Sequence, residues 1–222
     1  MRFDQRIVMV TGAAGNLGRA VAAAFQGLGA TLVLLDMKPE GSIIPVDLRD
    51  PRSVQQAVDR TLERHGRIDV LCNIAGGFRM GPPVHETRDE DWDAMFDVNL
   101  RTLVHAVRAV VPTMLARGGG KIVNVGAASA QKGAARMSAY VASKAGVIRL
   151  TESMALELRD RNVNVNCVLP TTIDTPDNRA AMPDADPARW VRPVDLANVI
   201  VFLASEEARA IHGAAIPVAG LS

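Results

Sequence analysis

Arg6-Ile7-Val8-Met9-Val10-Thr11-Gly12-Ala13-Ala14-Gly15-Asn16-Leu17-Gly18 is the stretch that decides the fold. A short β-branched run leads into a glycine-rich loop, and the alanine-rich segment 19–28 follows as a predicted helix. Strand, glycine loop and helix in this order are the context of a dinucleotide-binding motif, because glycines let the backbone approach a pyrophosphate at a helix amino terminus. The spacing is G-x-x-G-x-x-G, which alone fits a mere tight turn nearly as well.

Apolar runs alternate with helical segments along the rest of the chain. Further strands are predicted at 31–35, 43–46, 68–72, 121–125, 163–169 and 214–218, and helices at 50–65, 89–116, 140–159 and 195–204. This alternation predicts a Rossmann-type α/β fold with one doubly wound, mostly parallel sheet and helices on both faces. With 222 residues and 48% hydrophobic content, we expect a single domain over 1–222.

The composition excludes several classes of partner. Lys and Arg total 25 against 24 Asp and Glu, and no basic run stands out, so neither nucleic acid nor an anionic membrane is expected. Cys72 and Cys167 lie in apolar stretches and are predicted to be buried thiols. The four histidines lack ligand spacing, so no metal site is predicted. Without a signal peptide or membrane-spanning run, we expect a cytoplasmic protein that acts on a small molecule.

Several candidate cofactor-binding residues follow predicted strands, where ligands bind in open α/β sheets. The carboxylate of Asp36 can bind the adenosine ribose hydroxyls and repel the extra phosphate of NADP, which favours NAD, although Lys38 could compensate. Asp47 and Leu48 are placed where an adenine edge could be read. Asn73-Ile74-Ala75-Gly76-Gly77 has small residues that let a cofactor lie close to the strand end.

The segment Tyr140-Val141-Ala142-Ser143-Lys144 contains the only tyrosine of the chain. Residues four apart share a helix face, so the Lys144 ammonium can lie beside the Tyr140 phenol. A nearby cation would lower the phenol pKa from about 10 by roughly 1–3 units, towards a group that exchanges protons near neutrality. Asn99 lies inside a predicted helix, where asparagine is a poor helix former unless its amide is used, and a solvent-facing amide is the alternative.

Taken together, these motifs resemble the short-chain dehydrogenase/reductase family over essentially the whole chain. The resemblance implies an NAD(P)(H)-dependent oxidoreductase that transfers hydride between a nicotinamide and a carbonyl or related double bond. Tyr140 would handle the proton, Lys144 would lower its pKa and hold the nicotinamide ribose, and Asn99 would anchor a water. The cofactor contacts are predicted at Gly12, Ala14, Gly15, Asn16, Leu17, Gly18, Asp36, Asp47, Leu48, Asn73, Ala75, Gly76, Tyr140, Lys144, Pro170, Ile173 and Thr175.

One position departs from the family pattern. Aligning Val123-Asn124-Val125 and Gly133 with that pattern puts Ala127 where a serine normally hydrogen-bonds the substrate carbonyl, and Ser129 comes two residues later. An alanine cannot replace a hydrogen-bond donor. Losing an oxyanion-hole-type donor raises the barrier by roughly 3–4 kcal/mol, which weakens the hypothesis of ordinary ketone reduction.

The departure is similar to that of dihydropteridine reductase-like members of the family. Gly126-Ala127, Ala75-Gly76-Gly77, Leu169-Pro170, Asp174-Thr175-Pro176-Asp177-Asn178-Arg179 and Met182-Pro183 carry this narrower resemblance. It implies NADH as the cofactor and a quinonoid dihydropteridine as the substrate. Because such a substrate is already activated, the serine could be dispensable.

Two other functional hypotheses stay open. One is a reductase of a ketone or beta-ketoacyl thioester. The other is a non-catalytic dinucleotide-binding sensor, against which the presence of Tyr140, Lys144 and Asn99 argues.

Features outside the core motifs also carry expectations. The family resemblance implies a homodimer or homotetramer formed through the two long helices, where Met154 and Leu158 fit either core or interface. The proline-containing segment 170–187 is expected to form a mobile flap over the site. Arg79, Arg136 and Arg179 lie in loops that could face substrate, although such residues are more often simply solvated.

Overall fold

Seven parallel strands form one sheet in the computed structural model, which describes residues 1–221. The strands are β1 (Ile7–Thr11), β2 (Thr31–Asp36), β3 (Ile44–Pro45), β4 (Val70–Asn73), β5 (Gly120–Val125), β6 (Val163–Pro170) and β7 (Ala215–Val218). The strand order is β3-β2-β1-β4-β5-β6-β7, so the order reverses between β1 and β4. The Rossmann-type fold is confirmed, and its sheet is parallel at every pairing among the described residues.

Helices cover both faces of the sheet. The helices are α1 (Asn16–Gln26), α2 (Pro51–His65), α3 (Asp89–Phe96), α4 (Thr102–Ala116), α5 (Ser138–Leu158), α6 (Pro176–Ala181) and α7 (Pro193–Ala204). Successive side chains of a strand point to opposite faces, so Ile7 and Met9 pack with α2, α4 and α5, whereas Val8 and Val10 pack with α1 and α7. Burial on both sides explains why the central strands are apolar throughout.

The largest differences from the sequence-based prediction concern two helices. The first helix begins at Asn16 rather than near Arg19, because Gly15 is its N-cap and the last part of the glycine loop forms its first turn. The predicted single helix 89–116 is divided into α3 and α4 by a π-helical segment, Asp97–Arg101. A π segment holds an extra residue per turn and is frequent at functional sites.

Met154 and Leu158, which the sequence assigned to either the core or an interface, belong to the core. Met154 and Leu158 of α5 are buried in the hydrophobic cluster that α5 shares with α2 and α4 against the sheet. These residues therefore stabilise the protomer itself.

A buried polar chain joins the centre of the sheet to α5. The Asn73 side-chain amide donates to the Asn124 side-chain oxygen (2.8 Å), and the Asn124 amide donates to the Thr151 hydroxyl (2.9 Å). Thr151 donates in turn to the carbonyl oxygen of Val147. This series of hydrogen bonds fixes the carboxyl ends of β4 and β5 relative to α5.

We expect Asn124→Ala to lower the free energy of unfolding by about 2–4 kcal/mol, because two buried polar partners lose their hydrogen bonds. Urea denaturation of both proteins measures the difference. Gln55→Ala, which removes an exposed hydrogen bond to Asp59 in α2, is the control and should cost less than about 0.5 kcal/mol. Equal effects of the two substitutions would show that the buried chain does not stabilise the sheet.

Candidate active site

The glycine loop after β1 is packed so closely that side chains would not fit. Gly12 has φ +67°, and a Cβ there would lie 2.8 Å from the Ala75 backbone. A Cβ at Gly18 would collide with the carbonyl oxygen of Gly12. Because Gly15 provides no side-chain cap, the first backbone N–H groups of α1 are available to an anion. The residues of this loop therefore fit the pyrophosphate of a dinucleotide.

Thr11, which the sequence reasoning missed, fixes the neighbouring loop. Its hydroxyl oxygen accepts hydrogen bonds from the backbone N–H groups of Ile74 (3.1 Å) and Ala75 (3.2 Å). These bonds place Ala75 against Gly12 at the point where the strand order reverses. The signal was available in the sequence, since a threonine that ends the first strand can bond to the adjacent strand end.

Asp36 lies at the carboxyl end of β2, beside the glycine loop. Its carboxylate accepts hydrogen bonds from the backbone N–H groups of Ala14 (3.0 Å) and Lys38 (3.1 Å). Arg19 donates to the carbonyl oxygen of Ala14 (2.9 Å) and forms a two-pronged ion pair with Glu40. This ion pair raises the pKa of Arg19 and lowers that of Glu40. The guanidinium at this corner is thus already paired with a carboxylate.

Three of the predicted cofactor contacts are engaged within the protein, Asp47 and Asn73 through their side chains and Leu48 through core packing and its backbone carbonyl. The Asp47 carboxylate binds Arg49, which lowers the Asp47 pKa through their hydrogen bonds. Leu48 is buried in the core, and its carbonyl oxygen contacts Nδ1 of His105 at 2.9 Å. Asn73 points its side chain into the sheet towards Asn124. These residues lie near the predicted edge, but the side chains of Leu48 and Asn73 do not line it.

Tyr140, Lys144 and Asn99 converge at the carboxyl ends of β4 and β5. The Lys144 ammonium is buried and donates to the carbonyl oxygen of Val125 (2.8 Å). A Cβ on Gly76 would lie 3.1 Å from this ammonium and 2.9 Å from Oδ1 of Asn99. Glycine at position 76 therefore leaves room for both polar groups beside the loop.

Asn99 uses its amide inside the protein, so the solvent-facing alternative is wrong. The residue is only 2% exposed. Its oxygen accepts from the backbone N–H of Gly77 (2.9 Å), and its amide nitrogen donates to the Gly77 carbonyl (3.0 Å) and the Ser143 hydroxyl (3.1 Å). Ser143 donates to the carbonyl oxygen of Tyr140. Asn99 thereby joins the loop after β4 to the Tyr140 turn of α5.

Burial governs the protonation of the Tyr140 and Lys144 pair. Desolvation raises the pKa of Tyr140 to about 12 and lowers the pKa of Lys144 to about 8. The Tyr140 pKa therefore does not lie below its usual value as the sequence predicted, because burial of the phenol raises it. Tyr140 is consequently protonated at neutral pH and can act as a proton donor.

The surroundings of Tyr140 are apolar. Ala127 is 4% exposed and belongs to a small buried cluster with Ala130 and Leu169, against which Tyr140 packs. Phe78, which the sequence reasoning did not select, is 58% exposed and meets the Tyr140 ring edge to face, with ring centroids 4.9 Å apart. No hydrogen bond of the Ser129 hydroxyl is found within residues 1–221. The residues that pack directly against the Tyr140 ring are therefore apolar.

The segment after β6 is organised by short-range contacts. Pro170 ends β6, and Ile173 forms a parallel bridge with Val191. The Thr175 hydroxyl caps α6 by accepting from the backbone N–H of Asn178 (3.2 Å). Trp190, which follows this segment, is buried. The predicted flap thus contains a defined helix at the same edge of the sheet as the other site residues.

The three loop arginines already have partners. Arg79 pairs with Asp91 (2.6 Å), and Arg179 makes a two-pronged ion pair with Asp174. Arg136 donates to a backbone carbonyl in the loop after β4. Because each guanidinium already bonds within the protein, we assign no substrate-binding role to the three arginines.

Other site types find little support in residues 1–221. No group of three or more His, Cys, Asp or Glu side chains there could hold a metal ion. No helix in the same range is long and apolar enough to cross a bilayer. A cavity of about 220 Å³ lies at the amino ends of β1, β4 and β5, at the opposite edge from Tyr140.

Comparisons with known proteins agree with this geometry. The profile of a family described as short chain dehydrogenase matches residues 6–186. The 3-oxoacyl-(acyl-carrier-protein) reductase of Thermotoga maritima is 34% identical over 99% of this chain and 98% of the relative. The (-)-trans-carveol dehydrogenase of Rhodococcus erythropolis is 33% identical over 98% of this chain and 97% of the relative.

A solved structure is similar over nearly the whole length. The crystal structure of carveol dehydrogenase from Mycobacterium avium in complex with NAD has a TM-score of 0.89 and 30% identity. The match covers 98% of this chain and 97% of that one.

The buried amine predicts a pH-dependent stability difference between the wild type and Lys144→Met. Burial lowers the pKa of Lys144 from 10.5 to about 8, so the protonated amine destabilises the folded state fully below pH ~8. As the pH rises from ~8 towards ~10.5, the unfolded chain binds more protons than the folded one, and the penalty disappears. Wild-type stability relative to the variant should therefore rise by roughly 1–3 kcal/mol over that range.

Urea unfolding at a series of pH values measures this difference, with Lys132→Met on an exposed loop as the control for removing an amine. A gap between wild type and Lys144→Met that stays constant with pH would mean that the Lys144 amine is not desolvated in the folded state.

Proposed function

The chain belongs to the short-chain dehydrogenase family, and from this premise we propose that it is an NADH-dependent reductase of an activated, conjugated carbonyl or quinonoid compound, with a quinonoid dihydropteridine as the leading substrate. Membership makes it an oxidoreductase of the Rossmann type. The single observation that carries the choice of substrate is the apolar side chain of Ala127 beside Tyr140.

We assign cofactor binding to the edge formed by the loops after β1, β2, β4 and β6. The glycine loop and the amino terminus of α1 would take the pyrophosphate, and Asp36 the adenosine ribose. Lys144 has N–H groups beyond the one it donates to Val125, and these would hold the nicotinamide ribose. Gly76, Ile173 and Thr175 would border the nicotinamide. Asp47 would contribute to adenosine binding because it lies near Asp36. Leu48 and Asn73 would hold the neighbouring backbone in position from within the core.

The chemistry divides between the cofactor and this chain. A bound NADH supplies the hydride. Tyr140 donates its phenolic proton to the substrate atom that gains electron density, and its raised pKa keeps that proton in place at neutral pH. Lys144 stabilises the resulting phenolate by its charge. Asn99 positions the Tyr140 turn through Ser143, and its amide is too fully engaged to hold a relay water by its own donors.

Ala127 makes an activated substrate more suitable than an ordinary ketone. A simple ketone needs hydrogen-bond donors on its developing oxyanion, and each such donor contributes roughly 3–4 kcal/mol. The methyl group of Ala127 supplies none. In a conjugated quinonoid ring the developing charge is delocalised, so one donor suffices. The exposed ring of Phe78 offers a flat apolar surface for such a compound next to Tyr140.

A second candidate function is reduction of a ketone or beta-ketoacyl thioester. The relative from Thermotoga maritima favours it, since that protein is a 3-oxoacyl-(acyl-carrier-protein) reductase. In this case the Ser129 hydroxyl, which lies in the turn after Ala127, would supply the second donor.

We further propose a homodimer or homotetramer that resides in the cytoplasm. Leu156 on the outer side of α5 is 64% exposed, and both cysteines are free and buried. Light scattering of the purified protein tests the oligomeric state.

Oxidation of NADH by the purified protein distinguishes the candidates. We expect turnover with quinonoid dihydropteridine, little with simple ketones, and a loss of about 10²–10⁴-fold in the Tyr140→Phe variant, because that variant lacks the proton donor. Ala127→Ser is the matched gain-of-donor variant and should raise ketone turnover by about 10²-fold or more.

Ser129→Ala separates the alternatives. Ketone turnover by the wild type that is lost in Ser129→Ala would support the second candidate and overturn the first. Binding of NADH without turnover of any of these compounds would contradict both.

The carboxylate at the end of β2 predicts the cofactor preference. Asp36→Asn keeps the hydrogen-bond acceptor for Ala14 and removes the charge that repels a 2′-phosphate, so the NADPH to NADH affinity ratio should rise about tenfold. Glu40→Gln should raise the ratio further by releasing Arg19. Fluorescence titration with each nucleotide measures the ratio, and Glu63→Gln on α2 is the control. An unchanged ratio in Asp36→Asn would refute a role of this charge in cofactor choice.

A further inference from the structure

The cavity at the amino edge of the sheet is lined by an excess of cations. Its volume is about 220 Å³, and it lies between the amino ends of β1, β4 and β5 and the carboxyl ends of α4 and α7. Five basic side chains and two carboxylates line it, and they are Arg2, Arg6, Arg67, Arg117, Lys121, Asp69 and Glu206. Since Tyr140 and the glycine loop lie at the opposite edge, this cavity is separate from the candidate active site.

Asp69 organises two of the cations. Its carboxylate is 7% exposed, accepts from the backbone N–H of Ile7 (2.8 Å), and forms ion pairs with Arg6 (3.2 Å) and Arg67. One buried carboxylate therefore holds two guanidinium groups side by side. Nε of Arg67 is itself buried and has no hydrogen-bond partner among residues 1–221.

Lys121 adds a buried positive charge to the same cavity. It is 8% exposed, and its ammonium donates to the side-chain oxygen of Asn164 (2.7 Å). Its nearest carboxylate is that of Glu206 at 3.9 Å, which is too long for a hydrogen bond. Burial lowers the pKa of Lys121, Glu206 partly opposes this, and Arg6 adds to it. The ammonium is thus desolvated and has no carboxylate in hydrogen-bond contact.

The charge balance around the cavity favours an added anion. The carboxyl ends of α4 and α7 each act as about half a negative charge, which with the two carboxylates gives roughly −3 against five cations. Asp4 adds one more negative charge through its ion pair with Arg2, which leaves an excess of about one positive charge. Arg117 has no ion-pair partner in the described part of the chain. An anion in the cavity would neutralise the remaining charge and pair with Arg117.

We propose that this cavity binds a small phosphate-type dianion, either inorganic phosphate or a phosphomonoester, as a second ligand site of the protein. The volume lies below the usual range of about 300–1,000 Å³ for pockets that take larger molecules, which favours a single phosphate group over a dinucleotide. Arg67 and Arg117 donate to the phosphate oxygens as planar forks, and Lys121 contributes its charge from the floor of the cavity. Binding at this site is independent of the redox chemistry.

Calorimetric titration of inorganic phosphate into the purified protein tests the site. The titration is run at constant ionic strength, alone and with saturating NADH, because the glycine loop also attracts phosphate. We expect one phosphate per chain that NADH does not displace. Arg117→Gln and Lys121→Met should each weaken it about tenfold or more, since each removes a charged hydrogen-bond donor. Lys132→Gln, an exposed cation at the opposite edge, should leave the affinity unchanged.

Other outcomes are equally informative. The absence of phosphate binding beside NADH, or the same affinity in wild type and Arg117→Gln, would overturn the proposal and leave the cations as neutralisers of helix ends and carboxylates. Arg117 is exposed, so its variant keeps the test valid even if Lys121→Met unfolds. Titration with glycerol phosphate identifies the ligand class, because tighter binding than inorganic phosphate indicates a phosphomonoester and weaker binding indicates the free ion.

Discussion

The close approach of two loops at the point where the strand order reverses is the constraint on which the site depends. Gly12 and Ala75 come so near that any side chain at position 12 would collide with the neighbouring backbone, and Thr11 holds them there with two hydrogen bonds. This contact forms the crevice between β1 and β4 and directs the amino terminus of α1 towards it. In parallel α/β sheets such a crevice is where ligands bind, so local packing of glycine determines the position of the site.

At the Tyr140 and Lys144 side chains, burial disfavours the charged forms that the chemistry needs. Lys144 is held as an ammonium donor by the Val125 carbonyl, yet its desolvation lowers its pKa to about 8. Tyr140 is desolvated as well, which keeps its proton in place. Proton donation then becomes favourable only when negative charge develops on a substrate next to the phenol. This electrostatic argument and the apolar side chain of Ala127 both support the proposal of a substrate that accepts hydride readily without first being polarised.

Much of the architecture could be predicted from the sequence, because it depends on patterns that act locally. Apolar runs bounded by glycine and polar turns predicted the succession of strands and helices along the chain. The four-residue spacing of Tyr140 and Lys144 placed them on one face of α5. The interruption of the helix 89–116 could not be read from spacing, since it arises from bonds between Asn99 and two segments distant in sequence. The burial of Leu48 and the inward direction of the Asn73 side chain likewise depend on residues distant in sequence, which are His105 and Asn124. The direction of the Tyr140 pKa shift also escaped prediction, because it reflects how much solvent the surrounding residues remove.

The two edges of the sheet differ in charge for a reason that follows from the fold. In a parallel α/β sheet all helix amino termini point to the carboxyl edge of the strands and all helix carboxyl termini to the amino edge. The carboxyl edge therefore attracts anions through backbone N–H groups, and few cationic side chains are needed there, as the pairing of Arg19 with Glu40 illustrates. The amino edge carries partial negative charge and tolerates cations. At this edge, however, five basic side chains line the cavity, and among them the Lys121 ammonium is buried without a carboxylate in hydrogen-bond contact. An anion bound beside a buried ammonium would stabilise the folded state, so the proposed phosphate site rests on the charges of this edge and not on the chemistry at the other one.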